Sequence, residues 1–257
     1  MAPILLDIDG VLHVSGEPYP GAPEAVARLR ADGHRLRFVT NNTVRARARL
    51  AEELRGAGFD LDEDEIETTP LAAARLLEGT RVFALTMPAI HGDLARHVEL
   101  VADRADAVLL GGLDENPDAA EVFSWRRLDA AFAELRGGAR LVALHRNRWW
   151  QTASGPRLDS GAIVAGLEYA AGVAAEVVGK PSRAYFEAAL AALAAGAHET
   201  TMVGDDVETD VAGAKALGMQ GVLVRTGKFR EDALAAAETQ PDAVIGSLAD
   251  LPDFLAR

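Results

Sequence analysis

The stretch Ile4-Leu5-Leu6-Asp7-Ile8-Asp9-Gly10-Val11 combines an apolar run with two carboxylates and a glycine. Three consecutive apolar residues without alternation are typical of a strand that is buried on both faces inside a parallel sheet. Carboxylates at the end of such a strand are costly to place unless a metal ion or another cation compensates them. Gly10 favours a sharp turn away from the sheet. The stretch therefore predicts a buried strand of a parallel sheet that ends in a charged site.

The composition of the chain excludes several kinds of site and of partner. Its 257 residues suffice for one large or two modest domains, and 49% of them are hydrophobic. The 39 acidic and 26 basic residues give a formal net charge of −13, which disfavours binding to nucleic acids and to anionic membrane surfaces. The absence of cysteine excludes disulfides, thiolate catalysis and cysteine-bound zinc. No apolar run approaches the roughly 20 residues of a membrane helix. No signal peptide is visible before Ile4, so we expect a cytoplasmic protein.

Strand and helix patterns alternate along the chain and predict an α/β fold. Apolar spacing predicts a helix over 21–32, a strand over 36–39 and a helix over 44–58. The acidic stretch 60–67 is typical of a solvated loop. Further along, a helix is predicted over 211–217. The order strand, helix, strand, helix over the first 58 residues is typical of the start of a parallel sheet covered by helices.

The middle of the chain contains a second set of strand and helix patterns. We interpret residues 80–176 as an inserted α/β domain, and residues 1–79 and 177–257 as the core domain. The segment Arg146–Trp150 within the insert is the densest cationic and aromatic cluster of the chain. Its position suggests the hypothesis that it helps to select the leaving group of a substrate.

Polar side chains follow several predicted strands at the point where each strand ends. They are Asp7 and Asp9 after the first strand, Thr40 and Asn41 after the second, Lys180 after the strand at Val177-Val178, and Asp205, Asp206 and Asp210 after Thr201–Val203. In an open parallel sheet, ligands bind beyond the carboxyl ends of the strands. If these strands are neighbours, carboxylates, a hydroxyl, an amide and an ammonium group converge on one pocket. This set suits a phosphoryl group held together with Mg²⁺, which prefers oxygen ligands.

Each of these groups also has a purely structural interpretation. Asp7-Ile8-Asp9-Gly10 alone could be a turn, and Thr40 and Asn41 could cap the following helix. Lys180 alone would usually be a surface lysine. Asp206 could simply favour a helix N-terminus, and it is left out of the predicted site. Because the groups occur together at several strand ends, a site is the better interpretation.

Four motifs, in this order, resemble those of the haloacid dehalogenase superfamily of phosphatases. They are Asp-Ile-Asp-Gly-Val at 7–11, Val-Thr-Asn at 39–41, Gly-Lys-Pro-Ser at 179–182 and Gly-Asp-Asp-Val-Glu-Thr-Asp at 204–210. The insert between the second and third motifs resembles a type-2 cap. The resemblance implies a Rossmann-like parallel-sheet core with a smaller inserted α/β cap domain. Segments at 158–161, 167–170, 177–182 and 224–228 are similar to one branch of the superfamily, whose members hydrolyse phospholysine, phosphohistidine and pyrophosphate, and to its hydrolase-domain relatives.

The resemblance implies a role for each acidic residue of the site. Asp7 is expected to be the nucleophile and a magnesium ligand. Asp9 is expected to protonate the leaving oxygen, to activate the attacking water and to bind magnesium through its backbone carbonyl. Asp205 is expected to be the remaining magnesium ligand, and Asp210 to act on the site through waters or hydrogen bonds. Asp7 should stay ionised while Asp9 carries a proton, so their pKa values need to be pushed apart.

The resemblance assigns the remaining residues to the phosphate group. Thr40 and Asn41 are expected to hold the phosphate, and Lys180 to orient Asp7 and to neutralise charge. The implied activity is that of a Mg²⁺-dependent phosphatase, which hydrolyses a small phosphorylated substrate through an aspartyl-phosphate intermediate. The resemblance is also consistent with a homodimer, because caps of this type often take part in dimer contacts.

Three alternative functions remain open on the same fold. A carbon–halogen hydrolase needs the nucleophile but neither magnesium nor a second acid, so Asp9 and Asp205 disfavour it. A phosphotransferase would pass the phosphoryl group to an acceptor other than water. A non-catalytic regulatory protein would keep the fold without turnover, which the intact set of acidic residues disfavours. The residues do not identify the substrate.

Overall fold

The computed structural model describes residues 2–113, 118–152 and 155–256, with the side chains of residues 149–152, 155 and 156 outside the description. The strands are β1 (Pro3–Asp7), β2 (His13–Val14), β3 (Glu17–Pro18), β4 (Arg35–Thr40), β5 (Ile66–Thr68), β6 (Arg81–Leu85), β7 (Glu99–Leu100), β8 (Ala107–Leu110), β9 (Arg140–Ala143), β10 (Trp149–Thr152), β11 (Gly155–Leu158), β12 (Glu176–Val177), β13 (Thr201–Gly204), β14 (Gln220–Val224) and β15 (Ala243–Ile245).

Helices connect most of these strands. The α-helices are α1 (Ala22–Ala31), α2 (Arg47–Gly56), α3 (Thr69–Leu76), α4 (His91–Leu94), α5 (Asp118–Val122), α6 (Trp125–Arg136), α7 (Gly161–Ala171), α8 (Arg183–Leu193), α9 (Gly213–Lys215), α10 (Glu231–Ala236) and α11 (Leu251–Leu255). Short 3₁₀ helices cover Glu63–Glu65, Pro88–Ile90, Ala197–Glu199 and Leu248–Asp250, and a π-helix covers Val207–Ala212. Within the described ranges, none of the helices has the length and hydropathy that a bilayer-spanning segment needs.

The chain divides into two compact units. The first consists of Met1–Thr40, Arg47–Glu67 and Lys180–Arg257, and the second of Asn41–Ala46 and Thr68–Gly179. Each unit has its own sheet and its own apolar core. The domain limits at 79/80 and 176/177 stay a prediction.

The first unit is built on a six-stranded sheet with the order β15-β14-β13-β1-β4-β5. Its strand pairs β15/β14, β14/β13, β13/β1 and β1/β4 are all parallel. From β1 the chain adds β4 and β5 on one side, and later β13, β14 and β15 on the other. The carboxyl end of β1 is therefore the point at which the strand order reverses, which is where open parallel sheets bind ligands.

Strand β1 is buried along its whole length, as its apolar run predicts. Leu6 pairs with Val203 of β13 on one side and with Phe38 of β4 on the other. Ile4 and Leu6 belong to the same core cluster as the buried residues of α1, so the helix stabilises the central strand by packing on one face of the sheet. The register brings the ends of β1, β4 and β13 to the same edge of the sheet.

The second unit has a five-stranded parallel sheet with the order β12-β9-β8-β6-β7. Helices α6 and α7 pack on it, and their apolar residues join those of β6, β8 and β9 in one core cluster. Helix α6 ends at Arg136, directly before Gly137-Gly138. An α/β core with a smaller inserted α/β unit is the predicted fold class, and the structure confirms it.

The prediction of a solvated loop over 60–67 was wrong. Residues Glu63–Glu65 form a 3₁₀ helix, and β5 then adds an edge strand to the first sheet. Glu67 is fully buried and forms an ion pair with the buried Arg37 of β4. The charge run looked solvated because the partner that neutralises Glu67 lies 30 positions away in the sequence. A buried charge is tolerated when it is paired in this way.

The helix predicted over 211–217 begins earlier, with the π-helix from Val207. The carboxylate of Asp206 accepts hydrogen bonds from the amides of Glu208 and Thr209, at 2.9 and 3.1 Å. Asp206 therefore caps the helix, which agrees with the interpretation of Asp206 as a residue that favours a helix N-terminus. Wide turns of this type are rare and occur often at functional sites. Here the turn contains Asp210.

Candidate functional site

The carboxyl end of β1 carries a buried ion-pair cluster. Lys180 Nζ lies 2.7 Å from Asp7 Oδ1 and 2.7 Å from Asp210 Oδ1. All three side chains are buried, so their charges interact with little screening by water. Lys180 lies three residues before the first residue of helix α8, whose first turn is capped by Ser182 Oγ as it accepts from the amide of Tyr185. A strand-to-helix junction therefore places the ammonium group at the end of β1.

Asp210 reaches this cluster because of the π-helix. A Cβ atom placed on Gly204, at the end of β13, would lie 2.3 Å from Asp210 Cβ, so only glycine fits there. The Oδ2 atom of Asp210 also accepts a hydrogen bond from the amide of Asp206, at 3.1 Å. Asp210 thus contacts the site through hydrogen bonds, with the Lys180 ammonium group and the Asp206 amide as donors.

Asp205 completes a group of three buried carboxylates with Asp7 and Asp210. Their ligand atoms lie within 4.8 Å of one another, which is close enough for one ion. The Oδ2 atom of Asp205 accepts a hydrogen bond from the amide of Lys228, at 2.7 Å. Its Oδ1 atom is buried and has no hydrogen-bond partner among the described residues. A buried carboxylate oxygen without a partner is costly unless a ligand satisfies it.

Two glycines leave the space that the Asp205 carboxylate occupies. A Cβ atom on Gly10 or on Gly227 would lie 1.9 Å from Asp205 Oδ2, and both residues have positive φ angles. The Thr226 hydroxyl fixes the two loops to each other by donating to the Gly10 carbonyl, at 2.6 Å. The turn after Asp9 therefore requires glycine at position 10, because any side chain there would collide with the Asp205 carboxylate.

We expect Gly10→Ala to abolish catalytic activity and Gly16→Ala to preserve most of it. Both glycines have φ near +90°, at 86° and 88°, so both substitutions carry the same conformational cost of about 1–2 kcal/mol. Only at Gly10 does the new methyl group also collide with Asp205, because nothing lies within 4 Å of a Cβ on Gly16. Steady-state kinetics and urea unfolding of the two variants separate the effects. Equal losses in both would contradict this account of Gly10.

Asp9 and Thr40 form the second part of the site. The Thr40 hydroxyl donates to Asp9 Oδ2 at 3.2 Å. The Asp9 side chain is 58% exposed, whereas that of Asp7 is 9% exposed. The two acids of the motif therefore sit in different environments, although they are two residues apart. Asp9 can reach a substrate from solvent, and Asp7 faces the buried cluster.

Burial changes the protonation of the cluster. It raises the pKa of Asp7 well above its ordinary value, although Lys180 acts in the opposite direction. It also raises the pKa of Asp205 to about 6, against the hydrogen bond from the Lys228 amide. Burial alone would lower the pKa of Lys180, but Asp210 and Asp7 outweigh it and raise this pKa. Burial thus opposes the ionised Asp7 that the resemblance implies, and a bound cation would favour the ionised form.

Two groups of predicted residues belong to the second unit. The amide oxygen of Asn41 accepts a hydrogen bond from the Thr69 hydroxyl at 3.4 Å. In the segment Arg146–Trp150, Arg146 forms an ion pair with Glu168, and Arg148 is exposed. The side chains of Trp149 and Trp150 lie outside the described ones. The hypothesis that this segment selects the leaving group stays a prediction.

Sequence reasoning missed two contributors to the first unit's site. One is the Gly227-Lys228 loop, which donates a backbone amide to Asp205. The loop follows β14 directly, so the rule of strand ends could have found it. The other is Tyr185, whose hydroxyl contacts the backbone of Thr40. The apolar pattern of α8 predicts only a core position for Tyr185, and no sequence signal indicates the hydroxyl's partner.

Two family models match the chain, and together they cover most of the first unit and the start of the second. The model described as haloacid dehalogenase-like hydrolase matches residues 4–97, and the HAD-hydrolase-like model matches residues 177–251. Together they cover all four motifs. The resemblance that the motifs suggest is therefore confirmed by comparison with whole families.

Similar proteins cover almost the whole chain. Human phospholysine phosphohistidine inorganic pyrophosphate phosphatase is 36% identical over 260 residues, or 98% of this chain and 93% of that protein. The p-nitrophenyl phosphatase from Archaeoglobus fulgidus superimposes with a TM-score of 0.89 at 30% identity, covering 98% of each chain. The glycerol phosphate phosphatase from Mycobacterium tuberculosis, solved in complex with magnesium, has a TM-score of 0.84 at 29% identity and covers 97% of this chain and 76% of that one. The chain therefore belongs to the haloacid dehalogenase-like hydrolases and is an enzyme of that type.

Proposed function

We propose that this enzyme is a Mg²⁺-dependent phosphatase that hydrolyses a small phosphorylated substrate through an aspartyl phosphate on Asp7. The observation that carries the proposal is the buried cluster at the end of β1. There Lys180 Nζ lies 2.7 Å from a carboxylate oxygen of Asp7, and three carboxylates share one potential ion site. The names of the related phosphatases support the reaction class.

The donor atoms of the cluster fit a magnesium ion. Magnesium prefers oxygen ligands and binds through a few carboxylates together with substrate phosphate. The buried Oδ1 atom of Asp205, without a partner among the described residues, is the kind of group that such an ion satisfies. Asp7, Asp205 and the Asp9 carbonyl would hold the ion. When bound, it supplies positive charge that favours ionised carboxylates and offsets the charge of a phosphate group.

The residues of this chain can then carry out both halves of a hydrolysis. Asp7 attacks phosphorus, and the bond from phosphorus to the leaving oxygen breaks while Asp9 gives that oxygen a proton. Asp9 next takes a proton from a water molecule, whose oxygen attacks phosphorus and releases Asp7. Asp9 is suited to both transfers because its side chain is more than half exposed and its Oδ2 atom is oriented by the Thr40 hydroxyl.

The remaining polar groups would orient the phosphoryl group and balance its charge. Lys180 neutralises part of the negative charge near Asp7, and Asp210 keeps the ammonium group in place. Thr40 is proposed to turn its one hydroxyl proton from Asp9 Oδ2 to a phosphate oxygen when substrate binds. The contact of Asn41 with the phosphate stays a prediction. Stabilising the charge on a transferring phosphoryl group is the main task of such sites.

A screen of small phosphorylated compounds tests this function. It should include p-nitrophenyl phosphate, pyrophosphate, phosphoamino acids and sugar phosphates, each with magnesium and with a chelator. We expect phosphate release that needs magnesium and that glycerol or ethanol as acceptors do not divert. Transfer of the phosphoryl group to the alcohol would instead indicate a phosphotransferase, and a lack of turnover on every compound would contradict the proposal. The homodimer and the cytoplasmic location stay predictions.

Asp205→Asn is expected to remove the response to magnesium while stabilising the metal-free protein at neutral pH. In the wild type, the pKa of Asp205 is raised to about 6. Between about pH 4, near the unfolded pKa, and about pH 6, Asp205 is therefore protonated in the folded state and ionised in the unfolded state. This difference lowers the free energy of unfolding, and the cost grows with pH over the interval. Asparagine avoids this cost, which is about 3 kcal/mol at pH 7.5 for a shift of roughly two units.

Urea unfolding at pH 4.5 and pH 7.5, with and without magnesium, measures these effects. The stability advantage of Asp205→Asn should shrink at pH 4.5, and saturating magnesium should stabilise only the wild type, by about 3 kcal/mol at 100 times Kd. Asp206→Asn is the matched control, because asparagine caps a helix as well as aspartate does. Equal magnesium stabilisation of wild type and Asp205→Asn would contradict Asp205 as a ligand.

A further inference from the structure

The hydroxyl of Tyr185 lies between the ends of two neighbouring strands. It accepts a hydrogen bond from the Thr40 amide at 2.7 Å. It lies 3.0 Å from the Thr40 carbonyl and 2.8 Å from the Glu67 carbonyl, and it donates its one proton to one of them at a time. The phenol thus connects the end of β4 to β5 and contacts three backbone groups, of which two belong to Thr40.

Packing alone does not require this hydroxyl. Tyr185 is completely buried, and its ring packs edge-on against Phe186 at 5.9 Å between centroids. A phenylalanine would fill the same space, but it would leave the buried amide of Thr40 without its Tyr185 partner. Burial raises the pKa of Tyr185 despite the nearby Lys180, so the hydroxyl stays protonated at neutral pH and cannot act as a base.

The Glu67 carbonyl is a rigid anchor for this contact. The Glu67 side chain is held by Arg37, which also donates to the Asp64 carbonyl at 2.9 Å. Arg37 therefore holds the chain at Glu67 itself and at Asp64, three residues before the point at which Tyr185 contacts β5. When the Tyr185 hydroxyl donates to the Glu67 carbonyl, its own position is fixed, and it then holds the Thr40 amide that donates to it.

Tyr185 also belongs to the element that supplies Lys180. Ser182 caps helix α8 through the Tyr185 amide, at 3.3 Å, so the segment from Lys180 to Tyr185 is locally ordered. One end of this segment contacts Asp7, and the other end contacts Thr40. A single short segment therefore joins the ammonium group of Lys180 to the backbone of Thr40.

We propose that Tyr185 is a positioning residue for phosphate binding. It holds the backbone of Thr40 at a fixed distance from Lys180, so that the Thr40 hydroxyl stays within reach of Asp9 and of the phosphate. This inference rests on the proposed function of Thr40. Tyr185 itself touches no reacting atom. Loss of its hydroxyl should weaken the binding of phosphate more than it slows turnover.

Tyr185→Phe tests the proposal by calorimetric titration with inorganic phosphate in the presence of magnesium, together with KM and kcat on p-nitrophenyl phosphate. We expect Kd for phosphate and KM to rise about 10-fold, as loss of a buried hydrogen bond implies, with a smaller change in kcat. In a Thr40→Ala background, the same substitution should change Kd less than twofold, because the hydroxyl that Tyr185 is proposed to position is then absent.

Phe186→Leu is the matched control, since it changes packing beside the Tyr185 ring and lowers Tm without touching Thr40. It should leave Kd for phosphate near the wild-type value. If Tyr185→Phe does not fold, Tyr185→Met removes the hydroxyl with a more adaptable side chain, and the same expectations apply. A wild-type Kd in the hydroxyl-free variant, or an undiminished effect in the Thr40→Ala background, would overturn the role of Tyr185. Phosphate that binds wild type without any turnover would instead count against the proposed function alone.

Discussion

Replacing Asp7 by asparagine is expected to reduce kcat by at least about 10²–10⁴-fold, the usual cost of losing one catalytic group. Asparagine keeps the size of the side chain but cannot act as the nucleophile. Its amide can still lie close to Lys180, so the fold should persist. Because burial raises the pKa of Asp7, the neutral variant should be at least as stable as the metal-free wild type.

The variant is best measured with p-nitrophenyl phosphate and with the best substrate of the screen, after chelation and readdition of magnesium. Asp206→Asn serves as the control, since Asp206 caps a helix beside the cluster and has no proposed chemical role. Near-normal magnesium-dependent activity of Asp7→Asn would show that Asp7 is not the nucleophile.

Lys180→Met is expected to cause the largest loss of stability, about 3–5 kcal/mol, because it leaves the carboxylates of Asp7 and Asp210 buried without their cation. The Lys180 side chain is only 2% exposed, and it contacts both acids at 2.7 Å. Activity should fall as well, since the charge near Asp7 is no longer balanced. Magnesium should restore part of the stability by supplying positive charge to the same carboxylates.

A matched control exists in Lys215, which is paired with Asp242 at 2.5 Å but has a side chain that is 26% exposed. Ion pairs near solvent contribute at most about 1 kcal/mol, so Lys215→Met should cost little. Urea unfolding of both variants, with chelator and with magnesium, makes the comparison. Similar losses in the two variants would mean that burial of the Lys180 cluster has no energetic consequence.

The residues that the sequence predicts well are those that follow buried strands. Asp7 and Asp205 were found because apolar runs without alternation mark strands of a parallel sheet, and such sheets bind ligands at their carboxyl ends. Lys180 was found by the same rule, although the strand before it, β12, is a partly exposed edge strand of the second unit's sheet. The structure brings these side chains to the edge where β1 meets β13 and β4. The hydrophobic pattern is a local property of the sequence, so the positions that follow buried strands can be predicted from it. Which strands are neighbours in the sheet is seen only in the structure.

The features that the sequence did not predict depend on partners that are distant along the chain. The acidic stretch before Thr68 looked solvated, but Glu67 pairs with Arg37 across two strands. The hydroxyl of Tyr185 finds its partners in Thr40, 145 positions away. The Lys228 amide binds Asp205 through its backbone, which no side-chain motif encodes. Contacts of these kinds become visible only when the strands are aligned in three dimensions.

The central claim is that Asp7 carries the phosphoryl group during turnover, and trapping that intermediate tests it most directly. An Asp9→Asn variant should slow the attack of water and let the intermediate accumulate when p-nitrophenyl phosphate is the substrate, because its leaving group barely needs a proton. Acid quenching and peptide mass spectrometry should then find about 80 Da added to the peptide that contains Asp7. The added mass should disappear after treatment with hydroxylamine, which cleaves acyl phosphates. Turnover without this adduct, or a phosphoryl group on another residue, would contradict the account.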